Sequence, residues 1–277
     1  MIYREARQYF SLKLKNAGIE EAETEIWMIM ESVLQIDRNY YLLHQTEEIS
    51  EENIRKLSDL VSQREKRIPL QYLLGETEFM GLPFYVNSNV LIPRPDTETL
   101  VETAMRYITK PMSVLDMCTG SGAVAVSLAH YTNVEVTAAD LSGNALSVAK
   151  KNCERNQTKI NLIESDLFAN IEGSYDMIVS NPPYIRSEEI LFLMPEVKDH
   201  EPILALDGRE DGLYFYKKIA TLGYRYLKNN GFLIFEIGFD QGKEVSDCMR
   251  KAGYIEVEVI QDLAGLDRVV KGKKSNV

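Results

Sequence analysis

Val114-Leu115-Asp116-Met117-Cys118-Thr119-Gly120-Ser121-Gly122-Ala123 is the stretch from which the rest of the chain is read. Val114–Met117 reads as a buried strand, and the apolar run Ala123–His130 reads as the helix that follows a Gly-rich turn. Glycine lets a backbone turn tightly and come close to a ligand. The first N–H groups of the next helix have no partner inside it and are free to bind. In an open α/β sheet, ligands sit in this crevice at the carboxyl ends of the strands. Gly120-x-Gly122-x-x-Ala125 formally satisfies the dinucleotide fingerprint, which leaves a nicotinamide-dependent oxidoreductase open at this point.

Working outward, further strands are expected at Val134–Ala139, Ile160–Ser165, Met177–Ser180, Phe232–Ile237, Ile255–Ile260 and Arg268–Val270. Helical stretches separate several of them: Leu146–Asn156, Tyr214–Leu227 and Lys243–Ala252. This alternation predicts an α/β fold with a mostly parallel sheet covered by helices on both faces. The link Gln261–Asp267 is too short for a parallel crossover, so the last two strands are expected to be antiparallel. Upstream, residues 2 to about 75 read as a helical bundle, with Ser50 as an N-cap ahead of Glu51 and Glu52. Thr77–Val90 reads as a hairpin around Gly81-Leu82-Pro83, and Asp96 as the N-cap of a helix running to about Tyr107. The expected organisation is a helical domain over 1–76, a β-hairpin linker over 77–90 and a ligand-binding α/β domain over 91–277.

Composition narrows the function classes. The chain has 277 residues, 31 Lys and Arg against 42 Asp and Glu, and a net charge of −11. A protein held to nucleic acid by bulk charge carries the opposite sign, so direct nucleic-acid binding is not expected. Cys118, Cys153 and Cys248 form neither a disulfide framework nor a metal-ligand spacing. The charged start Met1-Ile2-Tyr3-Arg4-Glu5-Ala6-Arg7 does not read as a secretory signal, and no apolar run is long enough to span a bilayer. A cytoplasmic protein without membrane contact and without a metal is the expectation.

Read one step earlier, Asp116-x-Cys118-x-Gly120-x-Gly122 resembles the acidic, Gly-rich motif of S-adenosylmethionine-dependent methyltransferases, which usually has Gly where this chain has Cys118. Asp140 ends the second strand, where an acid can accept hydrogen bonds from both ribose hydroxyls. Its structural alternative is a helix N-cap. Neither reading separates the two cofactors. The resemblance also places Asp166 or Leu167 beside an adenine.

Asn181-Pro182-Pro183-Tyr184 ends the fourth strand. A planar NH₂ group is a poor nucleophile because its lone pair is delocalised. The Asn181 side-chain oxygen and the Pro182 carbonyl are two acceptors that can hold its two hydrogens. Proline fixes φ and keeps the turn rigid. Tyr184 can stack on the flat face. A nicotinamide enzyme has no use for this arrangement, so the tetrapeptide points to an amino-methyltransferase. It does not say which amine: DNA and RNA exocyclic amines and protein glutamine all remain open. A non-catalytic module retaining the cofactor pocket is a further alternative.

The flanking residues narrow the choice. Pro69-Leu70-Gln71-Tyr72-Leu73-Leu74-Gly75 and Val90-Leu91-Ile92-Pro93-Arg94-Pro95-Asp96-Thr97-Glu98 resemble the HemK/PrmC family. So do Asn181-Pro182-Pro183-Tyr184-Ile185, Glu201-Pro202, Asp211-Gly212-Leu213 and Glu236-Ile237-Gly238 with Gln241. The resemblance implies transfer of a methyl group from S-adenosylmethionine to the glutamine N5 of the Gly-Gly-Gln motif in peptide chain release factors, modulating translation termination. It implies a seven-stranded methyltransferase sheet, with the release factor docked by the N-terminal helices. Cofactor contacts would come from Cys118, Thr119, Gly120, Ser121, Gly122, Asp140, Asp166, Leu167 and Asn181. The glutamine would meet Asn181, Pro182, Pro183 and Tyr184, with Asn181, Pro182 and Tyr184 carrying the catalysis. Gly208-Arg209-Glu210 departs from the family's Gly-Gly, and Arg94 with Glu98 reads either as a site entrance or as an ion pair.

Overall fold

Five amphipathic helices open the chain: α1 (Tyr3–Asn16), α2 (Ala22–Leu34), α3 (Arg38–His44), α4 (Glu51–Arg64) and α5 (Leu70–Leu74) in the computed structural model, which describes residues 1–276. Ala6, Phe10 and Leu14 recur every four residues along α1 and are fully or almost fully buried. They pack with Ile26, Ile29 and Met30 of α2 and Leu57 and Val61 of α4 into one apolar core. Ser50 caps α4, its side chain accepting from the Asn53 N–H.

The compact unit built on these helices is not one continuous segment. It comprises Met1–Gly75 and a short helix from much later in the chain, α9 (Pro195–His200). Glu196 of α9 lies between two guanidinium groups, 2.9 Å from Arg64 and 2.7 Å from Arg67. Arg64 is buried and also meets Glu25 at 2.6 Å. A buried cation needs such partners, because leaving one unpaired costs several kcal/mol.

The second unit runs from Glu76 to Met194 and resumes at Glu201. It contains a two-stranded hairpin, β1 (Glu76–Phe79) and β2 (Leu82–Tyr85), and a seven-stranded sheet. The sheet strands are β3 (Met112–Met117), β4 (Val134–Asp140), β5 (Ile160–Glu164), β6 (Tyr175–Ser180), β7 (Leu227–Glu236), β8 (Tyr254–Gln261) and β9 (Asp267–Lys274). Their order is β5-β4-β3-β6-β7-β9-β8. Every pair is parallel except β7–β9 and β8–β9, and the short last link requires the second of these to be antiparallel. Helices α6 (Glu98–Arg106), α7 (Ala123–Tyr131), α8 (Gly143–Arg155), α10 (Tyr214–Tyr226) and α11 (Gly242–Lys251) complete it. Two buried clusters form the core. One is built on Val114, Met177 and Ile234, the other on Leu115, Ile178 and Leu233. Adjacent residues of one strand thus feed opposite clusters, which is the pleat of a sheet buried on both faces.

Three local expectations change. Asp96 does not cap α6; it lies inside a 3₁₀ turn, Pro95–Thr97, and its carboxylate pairs with Arg268 at 3.1 Å. The stretch after α10 becomes strand already at Leu227, five residues before Phe232, with Asn230 at φ 63°. The hairpin strands stop at Tyr85, and Val86–Val90 is not strand. Among the described residues, no helix is long and apolar enough to cross a membrane.

Candidate active site

The sheet order reverses at β3: the chain passes from it to β4 and β5 on one side, then to β6 and β7 on the other. A crevice opens at such a switch point. Met117 pairs with Ser180 at the carboxyl ends of β3 and β6, so Cys118 and Asn181 leave the sheet side by side. The Ser180 hydroxyl donates to the Met117 carbonyl at 2.6 Å and ties the two ends together. The cleft above them has a volume of about 300 Å³.

The Gly-rich turn uses its glycines differently. Gly120 (φ 55°) lines the cleft, and a Cβ there would meet no atom within 4 Å. A side chain at that position would occupy ligand space. Gly122 (φ 80°) does not line the cleft; its Cβ would lie 3.1 Å from the Ala149 Cβ, so it permits close packing of α7 on α8. Cys118 stands at φ 62°, in the left-handed region where glycine is the usual occupant. The family's Gly therefore has a backbone reason, and this chain keeps the turn at the cost of placing a Cβ there. Burial pushes the Cys118 thiol up, so it stays protonated. Cys118→Gly is expected to leave stability nearly unchanged, relief of strain offsetting lost burial and greater unfolded-state freedom. Cys118→Val, with a branched side chain at positive φ, is expected to cost about 2 kcal/mol in urea unfolding.

Two acids hold the turn. The Asp140 Oδ2 accepts from the Gly120 N–H at 2.8 Å, and its Oδ1 from the Ser142 N–H at 2.9 Å. The alternative role of helix cap falls instead to Ser142, whose side chain accepts from the Ala145 N–H. Burial raises the Asp140 carboxyl, and these amide donors hold it down. Asp116, almost wholly buried, accepts from the Thr119 hydroxyl at 2.6 Å. Desolvation pushes it up to about 7. Asp166 and Leu167 also line the cleft, with Leu167 at φ 49°.

Asn181 and Pro183 line the cleft, together with Cys118, Thr119 and Ser121. Pro182 and Tyr184 stand outside that wall, next to it in the chain. The Asn181 Nδ2 donates to the Thr97 hydroxyl at 3.2 Å, which leaves the Asn181 Oδ1 as an acceptor for a ligand. The Tyr184 carbonyl accepts from the Gln241 Nε2 at 3.0 Å, and the Gln241 Oε1 accepts from the Gly238 N–H at 3.0 Å. A Cβ on Gly208 would lie 2.7 Å from the Tyr184 Cα, and one on Gly212 2.5 Å from its carbonyl oxygen. These close approaches lock the tetrapeptide from behind. They explain why the Glu236-Ile237-Gly238, Gln241 and Asp211-Gly212 motifs, which are scattered in sequence, belong to one site.

Arg94 and Glu98 do not pair. Arg94 lines the cleft and its guanidinium bonds to the buried Glu201 carboxylate, while Glu98 accepts from the Met80 N–H at 2.7 Å. Arg209 also lines the cleft, at φ 72° and 3.2 Å from Asp207. Sequence reasoning assigned no role to Thr97 or Asp116, although both lie in quoted motifs.

The parallel switch point, the acid-supported Gly turn and the rigid tetrapeptide beside it define a class I methyltransferase. A methyltransferase from Pyrococcus furiosus shares this fold, at 19% identity and a TM-score of 0.55 over 71% of this chain and 91% of that one. The family model for the PrmC N-terminal domain matches residues 5–75, and that for the methyltransferase small domain matches residues 95–195. The chain is 40% identical to the release factor glutamine methyltransferase of Clostridium acetobutylicum, over 94% of this chain and 98% of that protein. It is 42% identical to that of Fusobacterium nucleatum, over 95% and 76%. The chain belongs to the release factor glutamine methyltransferase family.

Proposed function

We propose that this protein transfers a methyl group from S-adenosylmethionine to the side-chain nitrogen, N5, of the glutamine in the Gly-Gly-Gln motif of class 1 release factors. The observation that carries this is the Asn181 amide: its NH₂ donates to Thr97, which leaves its oxygen as an acceptor on a residue that lines the cleft at the end of β6, beside the Gly turn. The cleft fits the cofactor. Gly120 leaves open space, and Asp140 still has lone pairs on both carboxylate oxygens for a ribose diol after its two amide bonds. When bound, S-adenosylmethionine supplies a methyl group already activated by its sulfonium.

The chain's residues do the positioning. The Asn181 Oδ1 takes one hydrogen of the glutamine amide and the Pro182 carbonyl takes the other. Held so, the nitrogen turns its lone pair towards the methyl carbon. Tyr184 is the ring proposed to stack on the amide plane. The C–N bond forms as the C–S bond breaks, and the nitrogen gives up its proton to solvent afterwards. Alignment supplies most of the acceleration, since no strong base is required. The helical unit is proposed to dock the release factor, in the cytoplasm where termination takes place.

Mass spectrometry of a release factor incubated with the protein and S-adenosylmethionine tests this. One added methyl is expected, on the glutamine side chain of the tripeptide. A Gly-Gly-Gln peptide alone is expected to show a far higher KM than the intact factor. Methyl on another residue, or on nucleic acid and not on the factor, would overturn the reading.

A further inference from the structure

Arg209 is a cation on the cleft wall to which the chemistry above gives no task. It follows Gly208 on a segment that runs beside the tetrapeptide and the residues after it. Ile185 and Asp207 form a parallel bridge. The Gly208 N–H donates to the Ile185 carbonyl at 2.8 Å, and the Ser187 N–H donates to the Arg209 carbonyl at 3.1 Å. Arg209 itself stands at φ 72°, a conformation that glycine adopts freely and that strains a residue with a Cβ. Strain kept beside a reacting centre points to a use for the side chain that incurs it.

Sheet topology places this residue in one half of the cleft. Of the acids on the wall, Asp116 lies on β3, Asp140 ends β4 and Asp166 follows β5. The sheet runs β5-β4-β3-β6, and Arg209 is tied to the chain that leaves β6. It therefore stands on the side of β3 opposite Asp140 and Asp166, next to the tetrapeptide. Asp207 fixes its guanidinium there. The Asp207 Oδ2 accepts from the Arg209 Nη1 at 3.2 Å. The Asp207 Oδ1 accepts from the Ser187 hydroxyl at 2.6 Å and from the Arg209 N–H at 2.8 Å. Among the described residues, the Arg209 Nε and Nη2 have no hydrogen-bond partner, so a guanidinium held at one corner keeps donors to spare.

The chemistry of those donors selects their ligand. Arg209 and Asp207 together carry no net charge, so an acidic group gains little from approaching the pair. A neutral carbonyl oxygen accepts well from a guanidinium N–H. Two glycines ahead of a glutamine have no side chains, and their polar groups are those of the backbone. We propose that Arg209 is a specificity-determining residue on the acceptor side, whose spare N–H groups bind a backbone carbonyl of the Gly-Gly segment as the glutamine enters beside Asn181. The proposal rests on the methyl-transfer reading of the Asn181 site and gives that site a second, side-chain contact with the acceptor.

The test measures steady-state methyl transfer to an intact release factor at saturating S-adenosylmethionine, for wild type, R209G, R209M and R209K. R209G suits the local φ, and R209M keeps an unbranched stem without its donors. In both, KM for the factor is expected to rise about tenfold, the loss of one hydrogen bond to a charged group, with kcat within about twofold of wild type. R209K keeps a charged donor without the fork, and its KM should return to within about threefold of wild type. Affinity for S-adenosylhomocysteine should stay within about twofold in all three, since the contact is made to the acceptor. With a Gly-Gly-Gln peptide as acceptor, kcat/KM should fall by the same factor, because the contact lies inside the tripeptide. A wild-type KM in R209G and R209M overturns the proposal. So does a loss confined to the intact factor, or an equal loss of affinity for S-adenosylhomocysteine. If R209G does not fold, R209M decides. A wild type that methylates no release factor overturns the functional reading and this proposal with it, whereas an active wild type beside an R209M of unchanged KM overturns the proposal alone.

Discussion

Asn181→Ala is expected to lower kcat about a thousandfold while leaving affinity for S-adenosylhomocysteine within a few-fold of wild type. The substitution removes a side-chain acceptor from a residue that lines the cleft at the end of β6. A glutamine amide could still enter, but nothing would hold its hydrogens or turn its lone pair. Removing a single preorganised polar group from a reacting centre commonly costs about a hundred- to a thousandfold, and here alignment is most of the catalysis. The fold should survive, because Asn181 is only partly buried and the loss to Thr97 is one hydrogen bond, about 1 kcal/mol. Single-turnover rates with pre-bound donor measure the effect without interference from binding. A loss smaller than tenfold would show that the tetrapeptide side chain is not what orients the nitrogen.

The second large effect lies on the donor side. For Asp140→Ala, the dissociation constant for S-adenosylhomocysteine should rise about a hundredfold by calorimetry. Two losses combine. On the proposed reading the ribose diol loses its charged acceptor, and hydrogen bonds to a charged group are worth about 1.5–3 kcal/mol each. The Gly120 and Ser142 amides also lose the carboxylate that holds the turn in its left-handed path. With the donor raised to saturation, kcat should recover to within a few-fold of wild type, because the proposed role of Asp140 is on the donor side alone. Recovery of kcat would separate it from Asn181, where no donor concentration restores the rate. An unchanged dissociation constant would mean that the cleft holds its ligand by some other edge.

The sheet was readable in advance because parallel strands buried on both faces are near-continuous apolar runs, and Val114–Met117 and Met177–Ser180 are of that kind. The start of β7 was not, since Lys228, Asn229 and Asn230 are polar and exposed and carry no strand signature. Asp96 misled for a different reason. Pro-Asp-Thr-Glu has the composition of a helix start, but Arg268, distant in sequence, takes its carboxylate. Arg94 and Glu98 have helical ion-pair spacing, yet each finds a partner elsewhere in the chain. The Gly turn and the tetrapeptide were legible as strand-end motifs, and the pairing of Met117 with Ser180 brings them side by side. The Thr97 hydroxyl that receives the Asn181 amide was not, because only the fold brings it beside the end of β6. One signal was available: Cys118 and Arg209 stand where the family pattern has Gly, and both have positive φ. Departures from glycine marked the strained positions.

The late-arriving helix Pro195–His200 has a consequence for biosynthesis. The helical unit cannot be finished when its own first 75 residues leave the ribosome, because Glu196 has yet to be made. At roughly 5–20 residues per second, translation needs on the order of ten seconds to cross that gap. Throughout it the nascent bundle holds Arg64 with one of its two carboxylates. Completion of the amino-terminal fold therefore waits on polymerisation of most of the catalytic one, and a polypeptide stalled before codon 195 would leave both immature.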